Sequence, residues 1–519
     1  MQENKETGNL QLDKQIDDEH DLGLLTKDFE EPITTKRELW GWYMCGFANE
    51  PFYVVFSAVF QGIILETLSS AAGVELSDGK TPCDTTKPDY KCLTYFGSGL
   101  VDSTSFALYI TVISSIIQLF VYISLGALAD HGNFRKKFLL IFSYLGAASL
   151  VLFLAVRSPS LYPLAAALTI ISGVFYGASI VFWYAFLPIL TRHHPDVVSA
   201  RREGELSETE VNAISDSVCN KISGVGFALG YLGGVIMLLL AAILVYVTGQ
   251  TIYSMQIATA LTGVWWAGFM TFTLLWLKPR PGPPLPRDTN FVVYSWKKTF
   301  ETFRHAKMLS ETFKLLITWF LFSDALNTIV TIAVFFGKKS IGMTQLQLLI
   351  AALEIPFVAM LGNYFWLFIQ RKTKLRTKSM MMILMFLYLL VPVYGLLGFA
   401  LPIGLKSIPE LYVVAGVHGL LLGASQSYIR VLFAELIPSG YENEFFALYE
   451  ITDKGSSWLG PLVIGVISQA THELRYSMIF IFGMFLLALV IMSLVNMEKG
   501  KKEAKEFKFF REEKKSRNC

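Results

Sequence analysis

FANEPFYVV, Phe47–Val55, lies in an apolar run from about residue 41 to 66, long enough to cross a bilayer, yet it sets Asn49, Glu50 and Pro51 side by side. An ionised side chain at mid-membrane costs on the order of 2.5–3.5 kcal/mol by insertion scales, so Glu50 needs a partner or water. The residue before a proline is pushed away from helical dihedrals, and the proline removes a backbone donor. Broken backbone at this depth is tolerated only where it packs in protein or lines a wet cavity. The triplet therefore predicts a bend that turns polar groups into an aqueous path. The segment has an echo in the second half of the chain, FSDALNTIV (Phe322–Val330), which sets Asn49 against Asp324. A second echo pairs Gly177–Ser179 with Gly423–Ser425, both GAS, and carries Tyr184 onto Arg430. Both fit a shift of roughly half the chain, in the same direction.

The rest of the chain agrees with a protein built inside lipid. Of its 519 residues 53% are hydrophobic and only 17% charged, against about a quarter charged in soluble proteins. Apolar runs of about twenty residues recur near 41–66, 104–129, 138–156, 162–190, 219–247, 257–277, 313–336, 345–369, 379–402, 411–437, 445–470 and 475–496. Twelve spans follow. Lys and Arg gather in the even-to-odd connections: Arg135, Lys136 and Lys137; Arg192, Arg201 and Arg202; Arg371 to Lys378. The positive-inside rule then places both termini in the cytosol. Nothing at the N-terminus reads as a cleaved signal peptide, since residues 1–38 are polar and acidic. The expected order is a cytosolic tail (1–38), a six-helix bundle (39–278) and a central loop with a surface helix (279–311). A second six-helix bundle (312–497) and a basic tail (498–519) complete it. Cys83 and Cys92 fall in the first non-cytosolic loop, where a disulfide persists. No Cys/His cluster has metal-ligand spacing, so no cofactor is expected, and no nucleic-acid partner.

Two parallel six-helix repeats are the architecture of major facilitator transporters. Within that frame the polar residues of the spans are the candidate site. Asp324, Asn327 and Thr328 lie at i, i+3 and i+4, a polar stripe in an apolar helix. His418, Gln426 and Arg430 share a face of span ten, and Arg430 offers a planar fork that matches a carboxylate. His418 reads more readily as a hydrogen-bonded helix residue than as a proton relay. Glu450 and Lys454 have the spacing of a same-helix ion pair with Asp453 beside them, which reads as a salt bridge near the cytosolic face at least as readily as a direct ligand set. Gly226, Gly230 and Gly234 form a small-residue stripe along which two helices can approach and slide.

GALADHGNFRKK, Gly126–Lys137, resembles the cytoplasmic signature of the major facilitator superfamily, with Gly126, Asp130, Arg135 and Lys136 keeping the chemistry while His131 and Gly132 depart from the pattern. The resemblance implies that this loop holds the two halves together on the cytosolic side. ELWGWYMCGFANEPF, ISGVGFALGYLGG, the central FRHAKML and ITDKGSSWLGPLVIG together resemble the fungal autophagy-related protein 22 family, over most of the chain from about residue 38 to 502. That likeness implies the vacuolar membrane and export of amino acids, leucine and other neutral ones, released by autophagic breakdown. It supplies no binding residues, so the site is read from the residues themselves. Asn49, Glu50, Asp324, Asn327, Thr328, Gln426 and Arg430 are expected to bind substrate, with Arg430 on the carboxylate and Asp324 or Glu50 on the ammonium. Glu50 is the candidate proton carrier. The competing readings are an amino-acid sensor or scaffold without flux, and a carrier of another solute such as a sugar. A membrane enzyme is disfavoured, because the seven His are scattered.

Overall fold

The computed structural model describes residues 32–75, 78–84, 92–126, 131–202, 206–249, 251–282, 293, 295–297, 308–341, 343, 345–439, 441–456, 459–460, 462–464, 467 and 474–517. Among them eleven helices are long and apolar enough to cross a membrane. In chain order the helices are α1 (Lys36–Ala71), α2 (Ser103–Gly126), α3 (Phe134–Val151), α4 (Tyr162–Arg192), α5 (Glu208–Val247) and α6 (Ile252–Trp276). The second half supplies α7 (Ser310–Phe335), α8 (Gln345–Thr373), α9 (Thr377–Leu397), α10 (Ile408–Glu435), α11 (Glu442–Ser456) and α12 (Ser477–Leu494). A polar helix, α13 (Met497–Arg517), follows. The predicted eleventh span is occupied by α11 and by scattered helical residues beyond it. Most of the predicted surface helix of the central loop lies outside the described residues, as does Asp130.

Where a bend was expected, α1 keeps its helical path. Pro51 has φ −55° and ψ −30°, inside the helical region. The chain answers the missing donor by widening: Phe52–Phe60 is wound as a π-helix, with α-helix resuming at Gln61. Such wide turns carry i→i+5 hydrogen bonds and rotate the residues beyond them relative to an α-helix.

The halves meet along two seams. α5 packs against α8 and α10, and α11 packs against α2 and α4. Within the first half, the glycine stripe of α5 receives α1. A Cβ on Gly226 would stand 2.2 Å from the Trp42 ring, and one on Gly230 2.7 Å from Glu50 Cγ. Trp42 and Trp183 lock α1 to α4 reciprocally, each indole N–H donating to the other's carbonyl oxygen at 2.9 and 3.0 Å.

The two ends of the molecule differ. One, the termini end, carries the start of α1 and the polar helix α13. There α13 is strapped across the halves: Lys501 pairs with Asp216 of α5 and with Glu435 of α10, both at 3.2 Å. Burial acts to lower the Lys501 pKa, but the two carboxylates outweigh it and hold the ammonium above its usual value. The opposite end carries three short antiparallel strands, β1 (Val74–Glu75), β2 (Cys92–Phe96) and β3 (Gly99–Asp102), with β2 between the other two. Cys83 and Cys92 are joined there as a disulfide, with Cα atoms 5.7 Å apart.

Candidate functional site

Between the halves lies a cavity of about 370 Å³, lined by residues of α1, α4, α5, α7, α8, α10 and α11. Its two ends have different chemistry. The floor, toward the termini end, gathers Glu50, Gln426, Arg430, Glu450 and Asp453 with the tyrosines Tyr176, Tyr184, Tyr231 and Tyr449. Toward the disulfide end the walls become apolar: Val54, Ala58 and Val59 of α1, Ile329, Val330 and Ala333 of α7, and Leu411, Val414 and Ala415 of α10. A polar floor under an apolar shaft fits a small amphipathic solute, with its charged head inward.

The sequence candidates divide between this cavity and the packing around it. Glu50, Asn327, Gln426 and Arg430 line the cavity. Asn49, Asp324 and Thr328 are fully buried and do not. Neighbouring helical residues point about 100° apart, so Glu50 and Asn49 cannot share a face. Asn49 instead turns its amide toward Cys45 Sγ of its own helix, at 3.5 Å. Asp324 and Thr328, one turn apart, look toward the α11 side: Asp324 Oδ1 accepts from the Gly460 N–H at 3.3 Å, and a Cβ on Gly460 would overlap Thr328. Only Asn327 of that stripe reaches the cavity. Glu450, expected to pair with Lys454, and the neighbouring Asp453 both line the cavity. Asp453 accepts a hydrogen bond from Ser323 of α7. The Lys454 side chain lies outside the described residues.

Arg430 is held between aromatic faces. Its guanidinium carbon stands 4.4 Å from the Tyr184 ring centre and 4.0 Å from that of Phe227, and Nη1 donates to the Gln426 carbonyl at 2.7 Å. Its Nε finds no hydrogen-bond partner among the described residues. His418 also lines the cavity, its Nδ1 without such a partner and its backbone carbonyl accepting from Tyr388 at 3.1 Å.

Below the floor, toward the termini, the halves are tied. Glu442, at the start of α11, accepts from Arg192 at 3.2 Å and from Arg135 at 3.4 Å, with the carboxylate almost fully buried. Ser223 of α5 meets Ser427 of α10 at 2.9 Å, and Asn220 donates to Thr377 at 2.6 Å. Of the signature loop, Arg135 crosses to the second half. Lys136 stays within the first, donating to the Leu274 carbonyl at 2.8 Å, so it does not join the halves. Sequence reading missed Glu442; its signal was an acidic residue opening an apolar span, facing two basic loops. The cavity thus reaches toward the disulfide end, above a bolted termini end.

Two parallel bundles around a central cavity, bolted at one end by an arginine of a G-x-x-x-D-like loop, define a membrane transporter of the major facilitator class. Solved structures agree at the level of fold. The human organic anion transporter MFSD10 covers 88% of this chain and 99% of its own at a TM-score of 0.61 with 13% identity. The proton:xylose symporter XylE covers 89% and 97% at 0.60 with 11% identity. The family is narrower: residues 34–505 match the model described as Vacuole effluxer Atg22 like, and the chain belongs to that family. Autophagy-related protein 22-1 of Aspergillus niger is 34% identical over 91% of this chain and 90% of its own length. Autophagy-related protein 22 of Coccidioides immitis is 35% identical, over 91% and 89%. The protein is thus a multi-pass vacuolar membrane transporter and not an enzyme.

Proposed function

We propose that the protein exports amino acids, leucine and other neutral ones, from the vacuolar lumen to the cytosol after autophagic breakdown. With the termini cytosolic, the cavity faces the lumen. The observation that carries the reading is the placement of Arg430 and the carboxylates Glu50, Glu450 and Asp453 on one floor beneath apolar walls. A zwitterion needs a cation for its carboxylate and an anion for its ammonium, and a leucine side chain needs apolar surface. Arg430 serves the first, Glu50 or Glu450 the second, and the shaft the third. Asn327 and Gln426 add polar contacts at the same level.

Glu50 also carries the proton in this proposal. It lies against α5 at the glycine gap, nearly buried and on the cavity wall. Protonation from an acidic lumen and release to the cytosol would move proton and amino acid together. Transport then requires the Glu442 bridges to open as the lumenal walls close. Efflux of labelled leucine from vacuoles or proteoliposomes tests this. Wild-type flux should rise with lumenal acidity, and Glu50→Gln should lose that dependence. Absence of leucine flux in the wild type, against flux of another solute, would overturn the substrate assignment.

A further inference from the structure

We infer that Tyr184 and Phe227 are positioning residues: they form an aromatic clasp that holds Arg430 while the carrier is empty, and the substrate carboxylate releases it. The inference rests on the amino-acid reading for its trigger, but not for the clasp itself. Arg430 belongs to α10, in the second half, whereas Tyr184 and Phe227 belong to α4 and α5, in the first. Its guanidinium, 4.4 and 4.0 Å from the two ring centres, is therefore a bond between the halves. Repeat equivalents meet near the axis that relates the halves, and Tyr184 is the residue the sequence echo aligns with Arg430. The clasp lies beside the Ser223–Ser427 contact, on the path from the cavity floor to the Glu442 bridges.

The chemistry makes this bond exchangeable. A guanidinium over ring faces is held by the ring quadrupoles, a weaker hold than paired charge-assisted hydrogen bonds to a carboxylate. Arg430 is nine-tenths buried, and its Nε has no hydrogen-bond partner among the described residues. A carboxylate entering the floor offers this donor and the adjoining Nη what the rings do not. As the guanidinium swings to it, the two rings lose their cation and one tie between the halves is cut. Ligand binding thereby favours opening at the termini end, which is differential affinity for the second state. An amine lacking the carboxylate would fill the cavity without releasing the clasp.

Cys219 provides the reporter: it is buried on α5, beside the Asn220–Thr377 contact that must part on opening. In full-length protein with Cys45→Ala and Cys519→Ser, reconstituted in nanodiscs, the alkylation rate of Cys219 is measured without ligand, with leucine and with leucinamide. Leucine should accelerate labelling and leucinamide should not. Phe227→Leu should label about thirtyfold faster without ligand, the factor expected for loss of one desolvated cation–π contact. Phe227→Tyr, which keeps a ring face, should restore the wild-type rate, whereas Phe227→Met, which keeps similar bulk without a ring face, should not. Tyr184→Leu is the alternative if Phe227→Leu fails to fold. Equal ligand-free rates in the wild type and the ring-deleted variant would overturn the clasp, as would acceleration by leucinamide equal to that by leucine. A ligand-free difference with no response to any amino acid would keep the clasp and reject the amino-acid reading.

Discussion

Helices α1 and α7 hold the same place in the two repeats, and each carries a carboxylate, Glu50 lying one position past the residue that aligns with Asp324, yet they use it differently. Glu50 opens onto the cavity, whereas Asp324 is turned toward the α11 side and accepts from a backbone N–H. The helices also wind differently. α1 has Pro51 and nine residues of π-winding directly after Glu50, while α7 runs as α-helix past Asp324 and widens only at Phe336–Ile341. Opposite Glu50, α5 offers Gly230, whose missing side chain is the space Glu50 Cγ occupies. The aligned residues, Asn49 and Asp324, are both buried away from the cavity, and the shift of one position to Glu50 turns a carboxylate onto it. The carboxylate of the first half is a ligand candidate; the one set one position earlier in the second is part of the scaffold.

The largest expected effect breaks the comparison directly. Glu50→Ala should lower leucine efflux by about a hundredfold, as loss of a charged partner for the ammonium implies, with normal abundance in the membrane. Asp324→Ala should instead leave the KM for leucine within about twofold while lowering the melting temperature. It strips the Gly460 N–H of a buried acceptor, a loss of about 1–3 kcal/mol. Radiolabel uptake and differential scanning fluorimetry on the same preparations separate the two outcomes. If Asp324→Ala matched Glu50→Ala in flux at unchanged stability, the asymmetry would be refuted.

A second prediction concerns the bolt below both helices. Glu442→Gln removes a buried charge shared by Arg135 and Arg192, and breaking one partner of such a pair costs about 3–5 kcal/mol in that state. The carrier should shift toward opening at the termini end, seen as faster alkylation of Cys219 without substrate. Next, Gly230→Ala places a methyl 2.7 Å from Glu50 Cγ. Overpacking of about 1–3 kcal/mol should displace Glu50 and cut flux roughly tenfold, whereas the same change at Gly268, where a Cβ meets nothing within 4 Å, should leave flux unchanged. The smallest effect belongs to Pro51→Ala. It restores a helix donor and should raise thermal stability with flux lowered by less than about threefold, because Gly230 still receives Glu50. A larger loss would show that the proline, and not the glycine gap, aims the carboxylate.

Much of this architecture was legible from residue patterns. Apolar run lengths located the spans, the two echoes gave parallel halves, and the glycine stripe of α5 marked the seam that α1 fills. His418, Gln426 and Arg430 were placed on one face by helical spacing and do line one cavity. What failed was rotational detail. An α-helical count puts Asn49 beside Glu50 and groups Asp324 with Asn327, but a difference of one position is about 100° of direction, and neighbouring helices decide which direction is wet. Cross-half contacts were also out of reach. Glu442 meets Arg135 and Arg192 over a large sequence separation, and Arg430 meets Tyr184 and Phe227 only because the bundles close at the termini end. The equivalence of Tyr184 and Arg430 was visible; their contact was not.

Binding of labelled leucine to purified protein in nanodiscs tests most directly whether the charges of the floor form the site. Wild type and Asp324→Asn should bind saturably with affinities within about twofold, while Glu50→Gln and Arg430→Ala should each weaken binding by at least about tenfold, the loss of one charge-assisted contact. Undiminished binding in Arg430→Ala and Glu50→Gln, or its loss in Asp324→Asn alone, would contradict the account.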